Sequence, residues 1–508
     1  MSNKKNKVSL NPIMTLMILI VVTIVLSGVL ALFGVGASYD TIKNSTYESN
    51  WVAVESLFNL RGIKYIFQST VSNFAAFTPL SMLIIILIGI GIMDKSGFLK
   101  TTFSLITRKC QKKTLTFVLA LICIILSIGG DLAYVVMIPL SALLFYYGRR
   151  NPLLGIVISF AALTCGTGLS FFKTSIDSSL DALTLESSRI LDSSYTFTYL
   201  GYFIIMVVAI FAIAALITYI SERFSVNELP KYEFKDDKKD FKLAKRDIRG
   251  LIFAGTFGII YLLIFIYNII PGLPLSGNLL DYSQKLYIDK LFNPDSFFSQ
   301  GFVFIVTILF VILGLFYGLG SRSIKNSNDF CDYLTHSLDG IGRTIILILL
   351  SSILVNVFKK SNIGTVITAL IGNLITNCKF TGIPLLVLFF IGTAVATFFL
   401  PNTVNKWTIL SASCVPTLMN VGFSAEFIQV IFRFAEGMTY GLTPIMAYFV
   451  IYLAYMEKYN TADNPIGVFK ILNYQKKYAL ATGIILLIIL IIWYLVGLPI
   501  GIGAMPTI

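Results

Sequence analysis

The chain has 508 residues, 56% hydrophobic and 13% charged, roughly half the charged share of a soluble domain, which excludes an ordinary globular protein and points to the bilayer. The formal net charge of +13 does not indicate nucleic acid, because the Lys and Arg residues sit in short loops between apolar runs, the positive-inside pattern. One histidine and six scattered cysteines without a CxxC offer neither a disulfide framework nor a confident metal site.

Lys4, Lys5 and Lys7 place the N-terminus in the cytoplasm. Residues 1–75 are expected to hold an uncleaved first span, Ile13–Leu32, and a polar external stretch reaching Asn73. A return span at Phe77–Met93 opens a unit over residues 76–221. A basic segment follows, with Lys95, Lys100, Arg108, Lys109, Lys112 and Lys113. Two short apolar pieces, Leu115–Ile128 and Leu132–Tyr147, are joined by Gly129, Gly130 and Asp131 and closed by Arg149 and Arg150. Two tight full spans would fit, as would a re-entrant hairpin over 114–148. The hairpin is preferred, since an ionised Asp131 in a lipid-facing turn would cost ~2.5–3.5 kcal/mol. Irregular backbone at depth is tolerated where it lines a cavity. Residues 152–173 read as a broken helix, interrupted at Thr164–Gly168 by two glycines and two threonines. Thr174–Ser194 reads as a polar external patch, and Tyr199–Ile220 returns inside. Residues 222–249 read as a cytoplasmic linker of mixed charge with no periodic apolar face.

Spans at Leu251–Ile270 and Phe302–Leu319 assign residues 250–340 to a scaffold or oligomerisation region. Thr344–Val357 opens a second unit over 341–500. It has a hairpin at 382–420, with arms Ile383–Leu400 and Trp407–Met419 around Pro401–Lys406. A broken helix at 425–452 is interrupted at Glu436-Gly437 and at Thr443-Pro444. Ala479–Val496 is the last span. Span, surface helix, hairpin and broken span therefore recur in order. The register pairs Gly129–Tyr134 with Asn402–Trp407 and Asn151-Pro152 with Ser424-Ala425. It also pairs Phe160 with Arg433, Leu163 with Glu436, and Gly166 with Thr439. Flanking charge opens the first hairpin inward and the second outward, so the repeats are inverted. Interrupted helices at matching positions of inverted repeats point to a secondary transporter with its site at the repeat interface. The expected fold is an all-α integral membrane protein with about nine transmembrane helices plus two re-entrant hairpins, in the inner (cytoplasmic) membrane.

Arg433 and Glu436, three apart, share a helix face, and ionisable residues inside a membrane are functional candidates. Arg433 would bind a substrate carboxylate while Glu436 exchanges a proton; a permanent structural ion pair is the alternative. Asp131 and Asp177 could carry coupling protons. Asp131 could equally cap its turn, and Asp177 could be external and exposed. Trp407 could stack on an aromatic ring of the substrate or sit at the membrane interface. Asn402, Thr403, Asn405 and Ser170 offer neutral polar groups for substrate. Near Asn402 and Thr403 these could hold Na⁺, or simply cap the hairpin. An embedded enzyme is a distant alternative, for there is no HExxH, no Walker motif and no Ser–His–Asp set. No residue is a catalytic candidate.

Several of these stretches resemble the AbgT family of p-aminobenzoyl-glutamate transporters. They are Gly130–Pro139 with Gly148–Gly155, Phe160–Gly168 running on to Asp177, Asn405–Trp407, Gly422–Glu426, Gln429, Arg433, Thr443–Met446 and Tyr448-Phe449. The resemblance covers nearly the whole chain. It implies a homodimer with nine spans and two hairpins per subunit. It implies uptake of p-aminobenzoyl-glutamate or proton-driven export of sulfonamide antimetabolites, with no cofactor. It assigns transport roles to Asp177, Trp407, Arg433 and, by position, Glu436. Coupling to H⁺ is expected ahead of Na⁺; a Na⁺-coupled carrier of a dicarboxylate or amino-acid-like anion is the second reading. Three positions depart from the family pattern. Glu436 replaces an aspartate, which bears on proton coupling. Asn402–Asn405 replaces a small, serine-rich tip, which bears on substrate identity. Ala425 replaces a proline.

Overall fold

The structure is a computed structural model that describes residues 10–43, 46–170, 173–198, 201–234, 242–293, 295–461 and 465–508. Lys4, Lys5, Lys7, Tyr199 and the middle of the linker lie outside the described residues. Helix α1 (Pro12–Leu32) begins on a proline and is capped by Asn11, whose side chain accepts from the Ile13 N–H, the preferred start for a helix. The described part of the stretch after it, expected to be polar and external, carries regular structure. Strands β1 (Gly36–Lys43) and β2 (Thr46–Ala53) pair antiparallel, with Gly36 opposite Ala53. Their Thr, Tyr, Ile, Trp and Val content favours a strand, and among the described residues they form a two-stranded sheet in a mainly helical protein. Helix α2 (Leu60–Ala75) leads into α3 (Thr78–Ser96).

The first unit continues with α4 (Phe98–Lys109), the hairpin arms α5 (Lys112–Leu126) and α6 (Asp131–Tyr147), α7 (Pro152–Cys165), α8 (Ser175–Ser188) and α9 (Phe203–Ile220). A π turn over Ser221–Ser225 and one helical turn, α10 (Val226–Glu228), carry α9 into the linker. The linker is correspondingly shorter than expected, for α11 (Lys245–Ile269) already begins at Lys245. The scaffold holds α11, α12 (Tyr287–Phe292), α13 (Phe297–Ser321) and α14 (Ser327–His336). Phe257 stacks on Phe316 at 3.6 Å between α11 and α13. The second unit holds α15 (Gly342–Lys360), α16 (Ile363–Asn377), the arms α17 (Gly382–Phe399) and α18 (Thr403–Met419), then α19 (Ala425–Thr439), α20 (Phe449–Lys458) and α21 (Val468–Val496).

Among the described residues, nine helical stretches are long and apolar enough to cross a membrane. Seven coincide with expected spans; the other two are Lys112–Gly129 and Gly382–Phe399, the first arms of the hairpins. The two broken spans are absent from that set because each is built of two shorter helices, α7 with α8 and α19 with α20. Helix α5, at 15 residues, is about 22 Å long, short of a ~30 Å hydrocarbon core.

The recurrence of elements is geometric as well as sequential. Helix α3 passes to α4 through Gly97 at φ 94°, and α15 passes to α16 through Asn362 at φ 58°. Both are left-handed, a conformation glycine and asparagine tolerate best. Helices α7 and α19 both start on a side-chain cap. Asn151 accepts from the Leu153 N–H and Ser424 from the Phe427 N–H, at the two positions the repeat register pairs.

The stretch Thr174–Ser194, expected to be a polar external patch, is instead largely α8, the resumption of the first broken helix. Thr174 and Asp177 form a reciprocal capping box at its start, which satisfies two N–H groups and fixes where the chain turns helical again. Its inner face is buried, including Leu180 and Thr184. A polar composition was misleading here because the hydroxyls bond within the helix or to neighbouring helices.

Candidate functional site

The two broken helices cross at their breaks. Three glycines make the crossing close. A Cβ on Gly437 would sit 2.7 Å from the Cys165 carbonyl oxygen, and one on Gly441 would sit 2.6 Å from Thr164 Oγ1. Gly168, at φ +89°, would bring a Cβ within 2.9 Å of the Arg433 carbonyl oxygen. Real Cβ atoms essentially never come this close, so a side chain at any of the three would force its neighbours to shift. One expectation is corrected: Glu436-Gly437 is no interruption. Helix α19 runs through both to Thr439, and the break lies at Tyr440–Leu442 and beyond. Gly437 serves close approach rather than a kink.

Four charged side chains meet beside this crossing. Glu436 Oε2 lies 2.8 Å from Arg433 Nη1, and Glu436 Oε1 lies 2.8 Å from Lys406 Nζ. Arg433 Nη2 reaches Asp177 Oδ1 at 3.5 Å. The other Asp177 oxygen, Oδ2, accepts from Thr174 N at 3.0 Å and Thr174 Oγ1 at 2.7 Å. The set is closed to solvent: Lys406 and Glu436 are 0% exposed, Asp177 3% and Arg433 6%. It draws on α8, α18 and α19, hence on both units. Two cations face two carboxylates, the arrangement that makes buried charge tolerable. Arg433 keeps one donor in reserve, for its Nε has no hydrogen-bond partner. Asp177 is therefore buried, not an exposed external residue.

Trp407 stands next to Lys406 on α18 and is fully buried. Its indole N–H donates to Thr184 Oγ1 at 2.9 Å, and its ring packs on Phe432 at 4.3 Å. The hydroxyl of Thr184 donates to Gln429 Oε1 at 2.6 Å, and Gln429 Nε2 donates to Asp181 Oδ1 at 2.6 Å. Asp181 in turn pairs with Lys173. This chain of contacts ties the second hairpin arm to α8 and α19. In this conformation Trp407 is a buried anchor for that arm, packed on Phe432 and bonded to Thr184.

The remaining candidates divide. Asn402 caps its own helix, accepting from the Asn405 N–H at 2.9 Å; both Asn402 and Asn405 are exposed, and Thr403 is buried. Ser170 is buried at the end of the first break. Asp131 opens α6 at the tip of the first hairpin, exposed and, among the described residues, without an ion pair. That tip closes on the first break through Ser127 Oγ, which donates to the Gly166 carbonyl at 3.1 Å. The phenol of Tyr134 meets Thr167 Oγ1 at 3.4 Å.

Sequence reasoning gave no site role to Lys406, Thr184, Gln429 or Asp181, although Lys406 and Gln429 stand among the residues that carry the family resemblance. The signal for Lys406 was present, since a lysine within an apolar hairpin arm calls for a buried partner. No local pattern announces the other three, which are brought together only by the packing of α8 on α18 and α19.

The sequence model of the AbgT putative transporter family matches residues 4–508. The p-aminobenzoyl-glutamate transport protein of Escherichia coli (strain K12) is 25% identical over 505 residues, covering 99% of this chain and 95% of the relative. Two solved structures are similar. The YdaH transporter of Alcanivorax borkumensis is 24% identical with a TM-score of 0.48, covering 97% of this chain and 100% of that one. MtrF of Neisseria gonorrhoeae, described with its class as antimetabolite efflux pumps, is 26% identical with a TM-score of 0.47, covering 98% of each chain. With a family match over residues 4–508 and nine membrane-length helices among the described residues, this protein is a multi-pass membrane transporter of the AbgT family.

Proposed function

We propose that the chain moves p-aminobenzoyl-glutamate, or a related aromatic carboxylate or sulfonamide antimetabolite, by proton-coupled alternating access. In this reading its repeats are inverted, its hairpins re-enter the cytoplasmic membrane, and two subunits form the working unit. The substrate class follows the curated relative, which matches 99% of this chain. The observation that carries the coupling is the charge balance at the crossing, where Arg433 and Lys406 are matched by Glu436 and Asp177. A substrate carboxylate that takes Arg433 leaves the set with one negative charge too many. Uncompensated buried charge costs several kcal/mol. A proton on Glu436 or Asp177 restores neutrality, which makes anion binding and proton binding cooperative.

The test is uptake of radiolabelled p-aminobenzoyl-glutamate into proteoliposomes under an imposed pH gradient or an imposed Na⁺ gradient. The pH gradient alone is expected to drive saturable flux, and Arg433→Ala is expected to abolish it. Flux that follows Na⁺ and ignores pH would transfer the protein to the Na⁺-coupled reading. Saturable flux surviving Arg433→Ala would remove the carboxylate-binding role.

A further inference from the structure

Lys406 adds a second cation to a site for which Arg433 alone would suffice to hold one carboxylate. Glu436 lies between the two, one oxygen on each at 2.8 Å. Asp177 lies on the far side of Arg433, with Oδ1 on the guanidinium and Oδ2 committed to Thr174. Every oxygen of the two acids that faces a cation can therefore be discharged by a proton without dismantling the cap of α8. We infer that Arg433 and Lys406 form a two-cation cradle for a dicarboxylate. Each substrate carboxylate enters in exchange for one negative charge cancelled by a proton, taken up by Glu436 and by Asp177. Substrate and protons then move together, two protons per dianion, with no net charge transferred.

With both acids ionised the four groups sum to zero. With both acids protonated the sum is two positive charges, which a dianion cancels. One proton with a dianion, or two protons with a monoanion, leaves an unpaired charge at a site where Lys406 and Glu436 are 0% exposed, an arrangement strongly disfavoured at low dielectric. The unpartnered Nε of Arg433 leaves the guanidinium one donor beyond its two ion pairs, which a substrate carboxylate could use in a two-point grip once it displaces Asp177. Gly168 packs against that donor without a side chain.

The other titratable groups around the set do not upset the count. Asp181 and Lys173 neutralise each other. Tyr202 faces Arg433, Tyr440 faces Asp131 and Glu436, and Cys165 ends α7; all three are neutral when protonated, and Asp131 has its own partner in Tyr448 and makes no ion pair with Arg433 or Lys406. Helix α17 has no ionisable side chain. On α21, Tyr478 is turned to Ser221 and Ser225.

This inference rests on the carboxylate-binding reading of the site, and the experiment separates the two. In proteoliposomes with the potential clamped by K⁺ and valinomycin, the equilibrium accumulation of p-aminobenzoyl-glutamate and of glutarate is read against the pH step. Accumulation of a dianion is expected to rise about a hundredfold per pH unit and to be unmoved by the potential. The isosteric monoanion p-aminobenzoyl-glutamine should give about tenfold per unit. In Glu436→Gln the dianion slope should fall to about tenfold and become potential-dependent. A tenfold slope for the dianion in the unmodified protein, or a strong response to potential, overturns the inference. Glutarate moving with a hundredfold slope while p-aminobenzoyl-glutamate does not move sustains the exchange and overturns only the substrate assignment. No flux of either dianion overturns both.

Discussion

Glu436 is shared by two cations, with Oε1 on Lys406 and Oε2 on Arg433, each at 2.8 Å. Lys406 belongs to the second hairpin and the other two residues to α19. The carboxylate therefore bridges a hairpin arm to a broken helix, and whatever discharges Glu436 also loosens the hold of one on the other.

Removing that carboxylate leaves two buried cations facing Asp177 alone. Glu436→Ala should destabilise the protein by about 3–5 kcal/mol, because an unpaired buried charge remains. The double variant Lys406→Met with Glu436→Leu removes a charge of each sign and should recover most of that loss without restoring the hundredfold pH dependence of accumulation. Chemical or thermal unfolding in detergent, with a flux assay alongside, checks both. Equal losses in the single and double variants would mean that charge pairing is not what holds this region.

The indole N–H of Trp407 donates to Thr184, so Trp407→Phe should cost about 1–3 kcal/mol of stability. Thr184→Val should cost at least as much, since it also loses the bond to Gln429, and the two together less than their sum, since they share the Trp407–Thr184 bond. Unfolding midpoints of the three variants decide it. A Trp407→Phe variant with unchanged stability and weakened substrate affinity would restore the ring-stacking role.

Gly437 is held against the Cys165 carbonyl with no room for a Cβ. Gly437→Ala should force the crossing apart, at about 1–3 kcal/mol, and should slow flux. Gly255, on α11 with nothing within 4 Å of where a Cβ would stand, is the control. Alanine there should be neutral or stabilising by up to about 1 kcal/mol, since alanine is the better helix former.

Lys406→Gln should convert a two-cation site into a one-cation site. The preference for p-aminobenzoyl-glutamate over p-aminobenzoyl-glutamine is expected to fall by about tenfold or more, as when a buried partner for a charged substrate group is deleted. Competition binding with the two compounds measures the ratio. An equal loss of affinity for both would reduce Lys406 to a structural counter-ion.

The sequence was most legible where physics is local. Apolar length located the spans to within a few residues, as with α1 and α13, because a bilayer demands about 20 apolar residues in line. Glycine and asparagine marked hinges at Gly97 and Asn362, and Asn151 and Ser424 marked helix starts. Reading failed where tertiary packing overrides local character. The hydroxyl-rich α8 looked external, yet Ser187 and Ser188 bond back to carbonyls of their own helix and Thr184 bonds to Gln429 and Trp407. Gly437 looked like a break and is a contact. Within the site, Arg433 and Glu436 were visible as neighbours on one helix. Lys406 and Asp177 complete the set from 27 and 256 residues before Arg433, a distance no periodicity spans.

The most direct measurement is proton uptake on substrate binding. Purified protein in weakly buffered detergent solution, carrying a pH indicator, is titrated with p-aminobenzoyl-glutamate near neutral pH. Binding linked to discharge of Glu436 and Asp177 predicts about two protons taken up per dicarboxylate bound, falling to about one in Glu436→Gln. Saturable binding with no proton uptake would contradict the account.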